Sequence, residues 1–421
     1  MLFLLPFSDS LLFIVILIKF TEAVGMRRGL AILALLFAAM GFGWMMRAEA
    51  AKVKSRAYVG HANDLDVQNF VMQYPKTAGT RLDDCQTCHR SGIATTDTAR
   101  EYSPCNYCHL LQYPNAKYKT GVPKNYEETL NSFGLAYKRQ GRTAAALAAI
   151  AKQDSDGDGY SNAQEIIGLR YPGDSASMPG QPLTPTVTLN WSDIQKLQRH
   201  SQFMLMNTTS EPFDDYTGYA GVKLQDVLKA AQVDLKGATG ITVFAPDGYN
   251  TDFTLEDVTS PFPKPYYYAE PVKITDKEKA LAKYPEPLPA GLMDGKEIPD
   301  IPWLLLAFER DGKLLDIAQY EKGTGRMAGE GPYRLIKPQR NVAGDAARPG
   351  RPDRSVKAKT FGDGWDFDKA LDHNAGSCVR GITAIRINPM PAGYEEYDWK
   401  NGWPLVGEKK LVIFGRGVSK K

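Results

Sequence analysis

Cys85-Gln86-Thr87-Cys88-His89 and Cys105-Asn106-Tyr107-Cys108-His109 decide how this chain is read, and together they use four of its five cysteines. Each stretch holds two thiols three positions apart and an imidazole directly after the second. In that arrangement both sulfurs add to the vinyl groups of a haem, and the adjacent His becomes the proximal iron ligand. Two copies predict two c-type haems, anchored by Cys85, Cys88, Cys105 and Cys108, with His89 and His109 as proximal ligands. Sixteen residues separate Cys88 from Cys105, a spacing that also suits a zinc ribbon closed by four thiolates. Such a ribbon has no use for a His after each pair, yet two of only five histidines stand there.

The N-terminus agrees with the haem reading. Met26-Arg27-Arg28 and the apolar run Gly29 to Met46, followed by Ala48-Glu49-Ala50, read as a secretory signal cleaved before Ala51. Haem attachment takes place outside the cytoplasm, so a periplasmic protein is expected. The apolar stretch Leu11 to Ile18 is too short to span a bilayer comfortably. Residues 1–25 read as an early start codon or, if the leader is uncleaved, as a membrane anchor. The leader is therefore 1–50. A chain of 421 residues predicts more than one domain. A net charge of +3 indicates neither nucleic acid nor an acidic substrate as partner. Redox proteins are the expected partners, with the membrane involved only through the N-terminal segment.

Residues 51–125, the diheme segment, show little hydrophobic periodicity, as expected where haems fill the interior. Each iron needs a sixth ligand or an open site. His61, in Tyr58-Val59-Gly60-His61, is the first choice for a distal ligand, and His373, in Asp372-His373-Asn374-Ala375-Gly376, the second. His200 reads as a surface residue after the helical-looking Trp191 to Arg199. Met72, Met204 and Met206 read as core filler.

Residues 126–172 form a helical segment with a calcium loop. Asn125 to Gln153 reads as helix. The run Asp154 to Glu165 then fits the twelve-residue EF-hand loop. Asp154, Asp156 and Asp158 hold positions 1, 3 and 5, Gly159 makes the turn at 6, Tyr160 offers its carbonyl, Asn162 holds 9 and Glu165 is bidentate at 12. Hard oxygen ligands at this spacing select Ca²⁺. A single unpaired loop reads as structural.

Residues 173–185 are a Pro/Gly/Ser-rich linker, and 186–421 the C-terminal domain. Ile241 to Ala245, Trp303 to Phe308, Tyr333 to Ile336, Ile382 to Ile387 and Lys410 to Phe414 are strand-like runs, and Gly221 to Val233 is helix-like.

The order of Tyr219 to Leu228, Val243 to Tyr249, Leu304 to Phe308, Asp311-Gly312 and Gly331 to Ile336 resembles the sulfite-oxidase molybdopterin-binding fold over about residues 186–418. The molybdenum-binding Cys of that family would stand shortly before Tyr219, but His200 to Ala220 contains no cysteine. Cys378 falls elsewhere and reads as a small core residue, so molybdopterin is not expected. Gly329-Glu330-Gly331-Pro332 beside two haem motifs resembles the GEGP-motif diheme c-type cytochromes over nearly the whole mature chain. Glu330 is a candidate carboxylate or simply part of a tight turn before Tyr333. Tyr266-Tyr267-Tyr268 and Asp363 to Asp368 read as ordinary packing or as aromatics beside a haem edge.

The expected fold is thus multidomain: a loop- and helix-rich diheme segment with an EF-hand-like loop, then an α+β, mainly β domain of sulfite-oxidase-like type. The expected function is electron transfer through two haems. The alternative is a haem-linked periplasmic oxidoreductase whose C-terminal domain binds a substrate or pterin.

Overall fold

A computed structural model describes residues 65–94, 100–112, 122–206, 214–267, 282–293, 296–321, 326–340 and 374–419. All belong to one compact unit, Ala57–Lys421. The leader, His61, His373, Tyr268 and the Asp363 to Asp368 stretch lie outside the described residues. Among those that are described, no helix is long and apolar enough to cross a membrane.

Helix and sheet are mixed, with several separate sheets. The larger part of the core lies between two of them. A five-stranded sheet runs Thr186–Leu189, Leu411–Gly415, Ala384–Asn388, Gly240–Phe244, Asn250–Thr254, antiparallel except where Ala384–Asn388 and Leu411–Gly415 pair in parallel. A six-stranded sheet is built on Lys313–Leu314, Leu305–Arg310, Asp214–Lys223 and Arg199–Met206, with Arg334–Ile336 and Ala282–Lys283 added to it. Alternation puts Ile241, Val243, Ile385, Ile387 and Ile413 on one face, in a single cluster with Leu306, Phe308 and Leu335 of the other sheet. Phe244, Ala384, Val412 and Phe414 face the opposite way and meet Trp399.

The strand-like runs of the sequence all carry strands, displaced by one or two residues at their ends. The helix expected over Gly221 to Val233 covers only Leu224–Ala230, because Gly221 to Lys223 continue a strand. Gly221 lies so close to its neighbour that a Cβ would sit 2.1 Å from the Leu306 carbonyl oxygen. Only glycine permits that approach, and the sheet takes it. The helix expected from Asn125 to Gln153 is also divided. It forms Ser132–Arg139, capped by Asn131, and Ala144–Ile150, capped by Thr143. Between them Gly141 and Arg142 have positive φ, which ends the first helix.

The haem-motif segment is attached to the C-terminal half by buried polar contacts. Arg81 donates through Nε and Nη2 to the two oxygens of Asp398 at 3.0 and 2.6 Å and also meets Glu395 at 2.6 Å. Its guanidinium lies 4.4 Å over the Tyr171 ring. Trp403 donates from Nε1 to Asn106 at 3.0 Å, and Asn106 donates to the Pro246 carbonyl.

Candidate functional site

Both Cys-x-x-Cys-His stretches form a single capped turn. Asp84 accepts from the Gln86 amide at the start of a 3₁₀ turn, Cys85–Thr87, and the His89 amide bonds the Cys85 carbonyl at 2.8 Å. Ser103 accepts from the Asn106 amide, and Pro104 opens the helix Pro104–His109. Residues three and four apart share a helix face, so each turn presents its cysteines and its histidine to one side.

The first turn is clamped from behind. The Asn131 amide bonds the Cys88 carbonyl at 3.0 Å, and its side chain donates to the carbonyls of Gln86 and Thr87. Gly134 lies against the same carbonyl, where a Cβ would come within 2.1 Å.

Thr129, fully buried, stands between the two motifs. Its hydroxyl donates to the Tyr126 carbonyl at 2.7 Å and lies 3.1 Å from His89 Nδ1. With the hydroxyl proton committed to that carbonyl, Oγ1 accepts and His89 Nδ1 donates. The tautomer leaves the lone pair on Nε2. A hydrogen-bonded Nδ1–H fixes the ring and raises the basicity of the other nitrogen, as a metal-ligating histidine requires. Tyr126 sets its ring edge-on to His89 at 5.5 Å, and Tyr320 lies 5.8 Å from His109.

Thr129 also lies beside the Cys108 thiol, which burial pushes up. The Cys105 thiol is raised well above the usual range, first by its hydrogen bond to Cys85 and then by burial. The two motifs are therefore in contact. A zinc ribbon would gather four sulfurs on one ion at about 2.3 Å. Among the described residues, the one set of three or more His, Cys, Asp or Glu groups whose ligand atoms lie within 4.8 Å of each other is Asp154, Asp156 and Asp158. The motif sulfurs are not drawn into such a set. Donor set and orientation suit covalent attachment of porphyrin through the cysteines, with His89 and His109 as nitrogen ligands.

The Asp154 to Glu165 loop is folded ready for a cation. Gly157 and Gly159 take positive φ, and both donate their amides to Asp154, at 2.7 and 2.9 Å. Tyr160 follows in the turn, its amide held by Asp158 at 2.8 Å. Asn162 uses its side chain as a brace, accepting from the Ser155 amide and donating to the Ile150 carbonyl. Glu165 is fully buried on the helix Asn162–Ile167. Both its oxygens, with Asp156 Oδ2 and Asp158 Oδ2, are buried and without a hydrogen-bond partner. Burial, then the charges of Asp156 and Asp158, push Glu165 up to about 9. Asp154, Asp156 and Asp158 each bring an oxygen within 4.8 Å of the others, and buried carboxylate oxygens left without a countercharge fit a hard divalent ion.

The remaining sequence candidates are accounted for as follows. His200 lies on the strand Arg199–Met206, Nε2 3.1 Å from the Ile301 carbonyl. Met204 and Met206 are buried, whereas Met72 is largely exposed. Tyr266 and Tyr267 pair with Lys296–Glu297, and Tyr267 packs in a small cluster with Tyr216 and Phe203. Cys378 is buried, and its sulfur accepts from the Lys337 amide at 3.3 Å. Glu330 is more than a turn residue: its carboxylate meets Arg334 at 2.7 Å and Arg310 at 3.2 Å.

Sequence reasoning passed over Thr129, Tyr126, Tyr320 and Arg81. None belongs to a motif, and only the fold brings them to the motifs. Compared with known proteins, the chain matches no family model and no curated protein sequence.

Proposed function

We propose that the protein is an exported, periplasmic c-type cytochrome that carries electrons through two haems bound at Cys85, Cys88 and His89 and at Cys105, Cys108 and His109. One observation carries the reading: the Thr129 hydroxyl holds His89 Nδ1, leaving the lone pair on Nε2. Bound there, haem supplies a one-electron Fe(III)/Fe(II) couple. The chain's own part is to fix the proximal imidazoles, set Tyr126 and Tyr320 against them, and keep the two sites adjacent through the contact of Cys85 with Cys105. Close sites favour electron passage between them. His61 and His373 remain the proposed distal ligands, and redox proteins the proposed partners.

Ca²⁺ belongs to the same reading, held by Asp154, Asp156, Asp158, the Tyr160 carbonyl and Glu165, with Asn162 bracing the loop. We read the C-terminal half as a pterin-type domain of the GEGP-motif diheme family that serves as a scaffold. Its Cys378 thiol is engaged by the Lys337 backbone, which favours the carrier over a molybdenum enzyme. The test is an absorption and EPR spectrum with intact mass of the purified protein. Two porphyrin additions and a reduced c-type α-band are expected. A colourless protein without added mass overturns the proposal.

A further inference from the structure

We propose that Trp403 is a positioning residue of the second haem site, acting on His109 through Asn106. The role rests on the two-haem reading, and it makes the C-terminal half a working part of that site.

The two Cys-x-x-Cys-His turns are held differently. The first is clamped from its own segment, where Asn131 holds the carbonyls of Gln86, Thr87 and Cys88 and Thr129 meets His89. The second is held from 297 positions further along the chain. Asn106, between Cys105 and Cys108, is buried, and both ends of its side-chain amide are spent on the C-terminal half. Its Oδ1 accepts from Trp403 Nε1 at 3.0 Å, and its Nδ2 donates to the Pro246 carbonyl at 3.3 Å.

These two partners arrive as one piece. A Cβ on Gly402, next to Trp403, would sit 3.2 Å from Pro246 Cα, so the two backbones are already in contact. Just past Pro246, a Cβ on Gly248 would lie 1.8 Å from the carbonyl oxygen of Glu101, on the strand that leads into the second motif. Only glycine permits that approach, and Lys400 reinforces it by pairing with Glu101 at 2.5 Å. Trp403 also sets its ring edge-on to Tyr320 at 6.3 Å, and Tyr320 lies 5.8 Å from His109. Asn106 stands three positions before His109 on the helix Pro104–His109, so the two are neighbours on its surface. What holds Asn106 therefore sets the ring of His109, as an outer partner sets a metal-ligating imidazole.

The test is ferric EPR and potentiometric titration of the full-length two-haem protein. Trp403→Phe keeps a ring and removes the N–H donor. One of the two haem signals and one of the two reduction steps should shift, while the other of each stays at the parent value. Asn106→Ala should shift the same pair, and the double variant no further than Asn106→Ala alone, because both changes break one contact. Asn131→Leu, which unclamps the first turn, should move the other signal instead. A colourless chain without porphyrin mass overturns the haem reading and this role together. A two-haem chain in which Trp403→Phe moves neither signal, or both alike, overturns this role alone. So does a double variant whose shift is the sum of the singles.

Discussion

His89 Nδ1 lies 3.1 Å from Thr129 Oγ1, a contact made across forty positions of chain. It joins the first Cys-x-x-Cys-His turn to the residue that also touches Cys108 of the second. A single hydroxyl therefore sits where the electronic character of both sites can be adjusted.

Replacing Thr129 by Val keeps the shape and removes the acceptor. The Nδ1–H then loses that acceptor. His89 becomes a weaker donor, so the ferric state of that haem is less stabilised and its midpoint potential should rise. Thr129→Ser should restore the parent value. Potentiometric titration followed by absorption separates this from a simple packing defect, because a packing defect would not be repaired by the smaller Ser.

The proposed calcium loop makes a prediction whose outcome depends on the ion. Glu165 is buried with both oxygens unpaired and is pushed up to about 9, first by burial and then by neighbouring aspartates. In chelator near neutral pH a carboxyl pushed up to about 9 is protonated, so Glu165→Gln, which is neutral as well, should be about as stable as the parent. With Ca²⁺ at a hundred times its dissociation constant the parent should gain about 2.7 kcal/mol, and the variant far less. Melting curves of both proteins in chelator and in calcium check the divergence. Chelation should leave the haem spectrum intact.

These two sites differ in how far the sequence revealed them. The turn from Asp154 to Glu165 was legible as a turn because its two glycines and the side chains that cap it lie within twelve residues. The paired cysteines were legible for the same reason. Thr129 was not, since nothing about Tyr126-Glu127-Glu128-Thr129 announces that a turn will return it to His89. Strand positions were legible from β-branched runs such as Ile241 to Val243. The helix boundary at Lys223 was not, because Gly221 is dictated by the approach of Leu306 from eighty-five positions away. Local chemistry is written locally, and contact between distant segments is not.

Arg81 is a case of such distant contact, bridging 317 positions to Asp398. Its partners Glu395 and Asp398 are 7% and 21% exposed. Arg81→Met should cost about 3 kcal/mol, because Asp398 loses its countercharge and Glu395 keeps only Arg170 in a poorly solvated place. Arg81→Lys should recover only part of this, lacking the fork that meets both Asp398 oxygens. Urea unfolding checks the order parent, Lys, Met. Equal midpoints for all three would show that the contact contributes nothing.

Asp257 carries the clearest dependence on pH. It is buried, and its carboxylate meets Arg340 at 2.8 Å and Lys337 at 3.1 Å. Burial alone would raise its pKa, but the Arg340 hydrogen bond and the Lys337 charge outweigh that and hold it below the usual range. A folded-state pKa below the unfolded one contributes stability that is complete above about pH 4 and is lost as pH falls through the folded value. Asp257→Asn should therefore lower stability at pH 7 by about 1–3 kcal/mol, leaving two cations without their acceptor. The deficit should be unchanged at pH 5 and shrink below pH ~4, as the parent carboxylate takes up its proton and comes to resemble the amide. Urea midpoints of both proteins from pH 7 to pH ~2.5 follow the convergence. A gap that stays constant to the acid limit would mean that packing, and not charge, is what Asp257 supplies.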